Sequence, residues 1–378
     1  MERKYKSFTF EGMETTVSDL LETLHAWAPP SLQESYDNSG LLVGEPNTAI
    51  QGVLVALDMT EEVVAEAASR GCNVIVAHHP IIFSGLKRLT GANYVERTVM
   101  AALRAGIALI AVHTNLDAVQ TGVNAEIGKR LGLKNLQILR PVKGRLKKLV
   151  IFTPESALQV VREAVFAAGA GQIGNYDACS FQTSGMGTFR AGVGAEPYVG
   201  EIGALHRESE VRLEVVVPDY DLARVTRAMR AAHPYEEVAY DVLALENSWS
   251  EVGSGMMGEL TEAMPLLQFL EHVKVQLHVP SLKYTQPVNK TVQKIAFCGG
   301  SGSFLLPDAK ASGADLFLTS DLKYHQFFDA DGQIVLVDIG HYENEQFTNV
   351  LIVEKIKQKF TNFAIRLAET NTNPINYL

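Results

Sequence analysis

Cysteine is scarce in this 378-residue chain: Cys72, Cys179 and Cys298 are far apart and odd in number. Such spacing offers neither a disulfide framework nor a thiolate cage, so a structural zinc site is disfavoured. Buried free thiols in a reducing compartment are expected instead. Long apolar runs are missing as well, and none approaches the roughly 20 residues of a membrane span. The opening "MERKYKSFTFEGMETTV" has early positive charge but no apolar stretch, which argues against a secretory signal. There is no basic surplus either: a net charge of −10 leaves no broad surface for nucleic-acid phosphates. The basic run "KGRLKK", residues 143–148, is short and reads as a solvated linker. These absences together predict a cytoplasmic protein with no membrane or nucleic-acid partner.

What is present is the composition of a globular protein, 47% hydrophobic and 20% charged. The chain is too long for one ordinary core, so two or three domains are expected. After an amphipathic helix ("TVSDLLETLHAWA", with Thr16 or Ser18 as its cap), strands and helices alternate to about residue 140. Apolar runs such as "GVLVALD", "CNVIVA" and "IALIAV" alternating with helices predict a mostly parallel sheet covered on both faces. Residues 50–79 can be laid without a gap on residues 292–321, strand on strand and helix on helix, with Gly71 on Gly313. The chain therefore reads as two related α/β lobes, residues 1–144 and 247–378.

Between the lobes, residues 145–246 run strand, helix, strand, strand, helix, strand. That order is the ferredoxin-like split βαβ pattern, and its position marks an inserted α+β domain. "HPYEE", residues 233–237, reads as a helix-to-strand corner at a subunit contact in preference to a metal cluster.

Polar residues collect where the lobe strands end. "VIVA" leads to His78, His79 and Pro80, and "IALIAV" to His113, Thr114, Asn115 and Asp117. "DLFLTS" leads to Asp321 and His325, and "IVLVDIG" to His341 and Glu345. Ligands of open α/β sheets bind beyond the carboxyl ends of the strands, where these turns gather. His341 and Glu345 are spaced i, i+4 and share a face if the turn after Gly340 opens a helix. Neutral imidazoles with carboxylates suit Zn, Fe, Mn or Ni. A single strand-end histidine is more often a hydrogen-bonded surface residue, and Asp117 and Glu345 could equally be helix N-terminal carboxylates. Convergence of several such residues is what favours the metal reading. "FCGGSGSF", residues 297–304, could hold a phosphate on its backbone, but without a Walker lysine it reads as a tight turn.

The blocks "NVIVAHHPIIF", "HTNLDAVQTGVN", "GHYENEQF", "ESYDNSGLLVG" and "GADLFLTSDLKYHQ" occur in an order that resembles the GTP cyclohydrolase type 2 homologue family, the Nif-three-like dinuclear-metal proteins. The insert is similar to the PII- and CutA-like domain of the family's longer members. The resemblance implies that His78, His79, Asp117, His341 and Glu345 bind two divalent ions per chain, Zn, Fe or Mn, with a bridging carboxylate. It also implies a toroidal homohexamer and a hydrolase acting on a small, nucleotide-like substrate, GTP with release of formate. Asp321 and His325 are then candidates for proton transfer or substrate contact, the other reading being a local turn hydrogen bond. Ser320 and Asn344 depart from the family pattern, which places substrate contacts in question. The rival reading is a non-catalytic hexameric metal-binding scaffold that senses a ligand or partner through the insert.

Overall fold

The computed structural model describes residues 14–378; residues 1–13, most of the stretch read for a signal segment, lie outside them. Helix α1 (Val17–Trp27) begins at a reciprocal cap: the Asp19 N–H donates to Thr16 Oγ1 (3.4 Å) and the Thr16 N–H to the Asp19 carboxylate (2.8 Å). Thr16, not Ser18, is thus the cap. Strands β1 (Gly40–Val43), β2 (Gly52–Ala56), β3 (Val74–Ala77) and β4 (Ala108–Ala111) follow, with helices α2 (Glu61–Ser69) and α3 (Tyr94–Ala105) between them. Short helices α4 (Thr114–Ala118) and α5 (Val123–Arg130) lead to β5 (Lys134–Lys143).

The chain then forms a separate compact unit, Pro141–Val252, which extends a few residues beyond the 145–246 segment at each end. Its elements are β6 (Leu146–Pro154), α6 (Leu158–Ala167), β7 (Ser180–Arg190), β8 (Leu205–Pro218), α7 (Leu222–Ala232) and β9 (Tyr240–Ala244). The sheet order is β7-β8-β6-β9, with every pairing antiparallel. Alternate residues Leu149 and Ile151 of β6, with Leu213, Val215 and Val217 of β8, pack against Val161 and Val165 of α6 and Val225 and Met229 of α7. The basic run is no linker here. It enters β6, where Lys148 pairs with Glu214 at 2.8 Å, and just before the strand Arg145 pairs with Asp219 at 3.3 Å. His233 pins the α7-to-β9 corner. Its Nδ1 accepts from the Tyr235 N–H (3.1 Å), so its Nε2 carries the proton donated to the Phe152 carbonyl (3.0 Å).

Beyond the insert come β10 (Ser248–Pro265), α8 (Leu266–Gln276), β11 (Lys283–Tyr284), β12 (Thr291–Phe297), α9 (Leu306–Ala311) and β13 (Leu316–Thr319). The chain continues through β14 (Val335–Asp338), α10 (His341–Glu345), α11 (Thr348–Lys357) and β15 (Ala364–Leu367). With the N-terminal elements these form one compact unit holding two sheets, β1-β4-β3-β2-β15 and β11-β14-β13-β12-β10-β5. The inner strands are parallel, but β1 on β4, β11 on β14 and β10 on β12 are antiparallel. Both sheets are therefore mixed, the first still parallel at three of its four pairings and the second parallel only through β12, β13 and β14 among the pairings described. An apolar run shows that a strand is buried on both faces and does not reveal its neighbour's direction. The lobes also interlock, because β15 follows the second lobe yet pairs parallel with β2 of the first sheet.

The repeat is visible in the fold: β2, α2 and β3 correspond to β12, the turn and helix over 303–311, and β13. Strand residues alternate between two cores. Val53, Val55, Val74 and Val76 face Ile295, Phe297, Leu316 and Leu318 of the other sheet across Leu20, Phe269 and Ile352 of the intervening helices. Leu54, Ile75 and Leu109 face outward onto α2 and α3 instead. Fully burying a side chain of this size contributes roughly 1.5–3 kcal/mol, so this shared central layer holds the two sheets together. Cys72 and Cys298 are buried free thiols, whereas Cys179 is half-buried. Among the described residues no helix is long and apolar enough to cross a membrane.

Candidate metal centre

The carboxyl ends of β2, β3 and β4 meet α10 in a cavity of about 690 Å³. β3 finishes at Ala77, and His78 and His79 leave it just before Pro80. His78 is fully buried and its Nδ1 faces the Val112 carbonyl at 2.8 Å. His79 Nδ1 faces Asp58 Oδ1 (2.7 Å), His113 Nδ1 faces Asp37 Oδ1 (2.7 Å) and His341 Nδ1 faces Asp321 Oδ2 (2.6 Å). Each of these oxygens can only accept, so each Nδ1 carries a proton and each Nε2 is turned toward the cluster. Outer acceptors of this kind commonly fix metal-binding imidazoles.

Glu345 lies at the centre, 3% exposed. Its Oε2 is 2.9 Å from His79 Nε2 and 3.0 Å from His341 Nε2, while its Oε1 is 3.7 Å from His78 Nε2. Asp117 Oδ1 is also 3.7 Å from His78 Nε2. His79, His341 and Glu345 form one group able to hold a metal ion, and His78, Asp117 and Glu345 another, with ligand atoms in each within 4.8 Å of one another. His78, His79 and His113 form a third such group. The helical turn after Gly340 is realised as α10, which sets His341 and Glu345 on one face. The glycine-rich turn is part of this arrangement. At Gly300, with φ +61°, an added Cβ would stand 2.6 Å from Glu345 Oε1, so the backbone can pass there only without a side chain.

These residues fit metal ions on their own chemistry. His78 Nε2 and Asp117 Oδ1 are shut from solvent and have no hydrogen-bond partner. His79 Nε2 and His341 Nε2 point at each other across 3.3 Å, an arrangement that needs a positive charge between or beside them. Without a metal, protons fill that need. Burial works against the His79 cation, but the bonds to Asp58 and Glu345 outweigh it and bring the pKa up to about 9. His341 is likewise raised to about 11, burial being overcome by Glu345 and Asp321. Burial also pushes the Glu345 carboxyl up, but the adjoining imidazoles of His341 and His78 hold it well below the usual range. Burial and the Glu345 charge push Asp117 well above its usual range, and burial lowers His78. Cation binding here would release protons.

The structure thus gathers His78, His79, Asp117, His341 and Glu345. Asp321 approaches the group through His341 and does not line the cavity, and His325 lies apart from it, its ring packed against Tyr324 and Phe328. Ser320 and Asn344 are buried behind the centre and also do not line the cavity; Asn344 Nδ2 donates to the Cys298 carbonyl at 3.0 Å. Sequence reasoning notes His113 at a strand end without giving it a ligand role, and it does not pick out Asp37 or Asp58 as site residues. The only signals for them are their positions at strand ends or within the blocks "ESYDNSGLLVG" and "HTNLDAVQTGVN". On the apolar side the cavity is walled by Phe83, Tyr94 and Phe304.

Two mixed sheets that jointly hold a buried histidine–carboxylate cluster define an α/β protein built around a site able to take metal ions. The chain belongs to the Duf34/NIF3 (NGG1p interacting factor 3) family, whose model matches residues 15–374. It is 37% identical over 366 residues to a Halalkalibacterium halodurans protein, covering 95% of this chain and 98% of that one. It is 36% identical over 365 residues to a Staphylococcus epidermidis protein, covering 96% of this chain and 99% of that one. Both relatives are named GTP cyclohydrolase 1 type 2 homolog. The crystal structure of a Bacillus cereus protein related to NIF3 superposes with a TM-score of 0.85 at 37% identity, covering 97% of this chain and all of that one.

Proposed function

We propose that the protein is a hydrolase with a dinuclear metal centre acting on a small, nucleotide-like molecule. The observation that carries this reading is Glu345, whose two oxygens address two separate ligand groups at the floor of an open cavity. In this reading His78, Asp117 and Glu345 would hold one ion, and His79, His341 and Glu345 the other, with Zn, Fe or Mn best suited to the donors. A pair of such ions supplies Lewis-acid polarisation of a substrate oxygen and a water acidic enough to react near neutral pH. The chain's own part is to orient and enclose. Asp58, Asp37 and Asp321 keep the imidazoles of His79, His113 and His341 turned inward, and Phe83, Tyr94 and Phe304 offer flat apolar contact to a ring.

The specific reaction put forward is opening of the guanine imidazole ring of GTP with release of formate. It is taken from the relatives' name and from the aptness of the donor set for hydrolysis. We assign Asp321 to positioning His341, and His325 has no role in this scheme. The insert is read as a ferredoxin-like module and the assembly as a toroidal homohexamer. Protein loaded in turn with Zn, Mn, Fe and Mg should release formate from GTP, or phosphate from nucleotide esters. His79→Ala and Glu345→Ala should abolish that activity while leaving the fold and assembly intact. Metal-loaded protein inert across such a panel would overturn the hydrolase reading in favour of a metal-binding scaffold.

A further inference from the structure

We infer that the C-terminal segment, residues 368–377, is a working part of the metal centre, and that Thr372 is a positioning residue for His79. This rests on the reading of His79 as a metal ligand.

Past β15 the chain forms neither helix nor strand, yet it is held along its course. The Ala368 N–H donates to the Val55 carbonyl (2.9 Å), and the Glu369 and Thr370 N–H groups donate to the Glu66 carboxylate (2.9 Å each). The segment then turns into the cavity, where Thr372 and Pro374 form part of the wall. Thr372 Oγ1 donates to Asp58 Oδ2 at 2.6 Å, while the other oxygen of that carboxylate holds His79 Nδ1 at 2.7 Å. One residue further, Asn373 Nδ2 donates to Glu343 Oε1 at 3.1 Å, and Glu343 is buried on α10 between His341 and Glu345.

The torsion that swings a carboxylate about its Cβ–Cγ bond has a broad, shallow profile, so one hydrogen bond does not fix the carboxylate plane. A second bond, on the opposite oxygen, does. Thr372 supplies that second bond, so the orientation of the His79 ring depends on a hydroxyl from the far end of the chain. Simple anchorage of a tail would be complete with the bonds to Val55 and Glu66. The bonds from Thr372 and Asn373 instead reach Asp58, which holds the His79 imidazole, and Glu343 of α10, the helix that carries His341 and Glu345.

The test uses the full chain and Mn²⁺ or Zn²⁺ alone, with the dissociation constants of the bound ions measured by chelator competition. Thr372→Val keeps the shape and removes the hydroxyl. It should weaken one ion about tenfold, at the lower end of what loss of an outer partner costs, and leave the other within about twofold. Thr372→Ser should restore wild-type binding, and Thr372→Ala should reproduce the valine result if the valine variant folds poorly. Thr370→Val, which removes an anchor on Glu66 outside the centre, should leave both constants unmoved. Limited proteolysis should find the segment still docked in Thr372→Val. The proposal is overturned if Thr372→Val binds both ions like wild type, if serine fails to rescue, or if Thr370→Val is equally weak. Wild type that binds no ion would overturn the metal reading itself, a result distinct from wild type that binds ions and a Thr372→Val that matches it.

Discussion

His79 Nε2 and Glu345 Oε2 are 2.9 Å apart although 266 positions separate them in the chain. Each belongs to a different lobe, so the centre exists only where the β3 turn and α10 have met. Metal binding must therefore stabilise the whole two-sheet unit. At an ion concentration a hundredfold above Kd, unfolding should cost about 2.7 kcal/mol more than in chelator, measured by denaturant titration. Glu345→Ala in metal-free protein should destabilise by about 1–3 kcal/mol without unfolding it, because His79 and His341 lose their shared carboxylate but keep Asp58 and Asp321. Equal stability with and without metal would contradict this.

Asp321 sits at φ +60°, in the left-handed region where aspartate and asparagine are tolerated. Asp321→Asn should therefore leave the backbone in place and remove only the charged acceptor for His341 Nδ1. The expected outcome is a 10–100-fold loss of metal affinity, with a small fall of the unfolding midpoint in chelator because the His341 cation loses one of its two carboxylate partners. A midpoint that falls while affinity holds would assign Asp321 a purely structural role.

Gly122 packs against the turn that carries Asp117. A Cβ there would stand 1.8 Å from the Leu116 carbonyl oxygen, a clash with backbone that no rotamer change relieves. Gly122→Ala should displace the Leu116–Asp117 peptide, lowering stability by about 1–3 kcal/mol as overpacking does. Metal affinity should fall with it, and elemental analysis of the purified variant gives the direct reading.

Acid should loosen the C-terminal segment. Burial raises the Glu66 pKa, but donors from Thr370, Glu369 and Arg70 outweigh it and bring the value down from an ordinary 4.5 to about 2. A depressed carboxylate contributes stability that is fully present above the unfolded value and lost as pH falls through the folded one. Protease cleavage within residues 368–377 should therefore rise between about pH 4.5 and pH 2. Glu66→Gln should show high cleavage at neutral pH and little further change on acidification.

Much of this arrangement is legible in the amino-acid sequence. Strand ends enriched in histidine, and the i, i+4 spacing of His341 and Glu345, single out residues that the fold then gathers. What stays hidden depends on long-range geometry. Nothing near Asp58 in sequence marks it off from any turn carboxylate, and its meaning comes from His79, just past the end of the next strand, and from Thr372, 314 positions on. Asp37 and His113 are 76 positions apart and meet only because β1 lies antiparallel beside β4. The direction of such flanking strands is set by tertiary packing, which periodicity does not encode. Sequence reasoning assigns "AETNTNPINYL" no role, because its donors gain partners only after β15 has docked.

The pairing of β15 with β2 also imposes an order on synthesis. The first lobe leaves the ribosome early, but the open side of β2 has no partner until Leu367 has been made. Throughout that interval an apolar parallel strand offers its free N–H and C=O groups to any other chain, a liability that mature sheets cover. The first sheet is therefore closed only by a strand from the second half of the chain. Closing the sheet and presenting Thr372 to Asp58 are successive moments of one event, so the finished edge and the finished site arrive together.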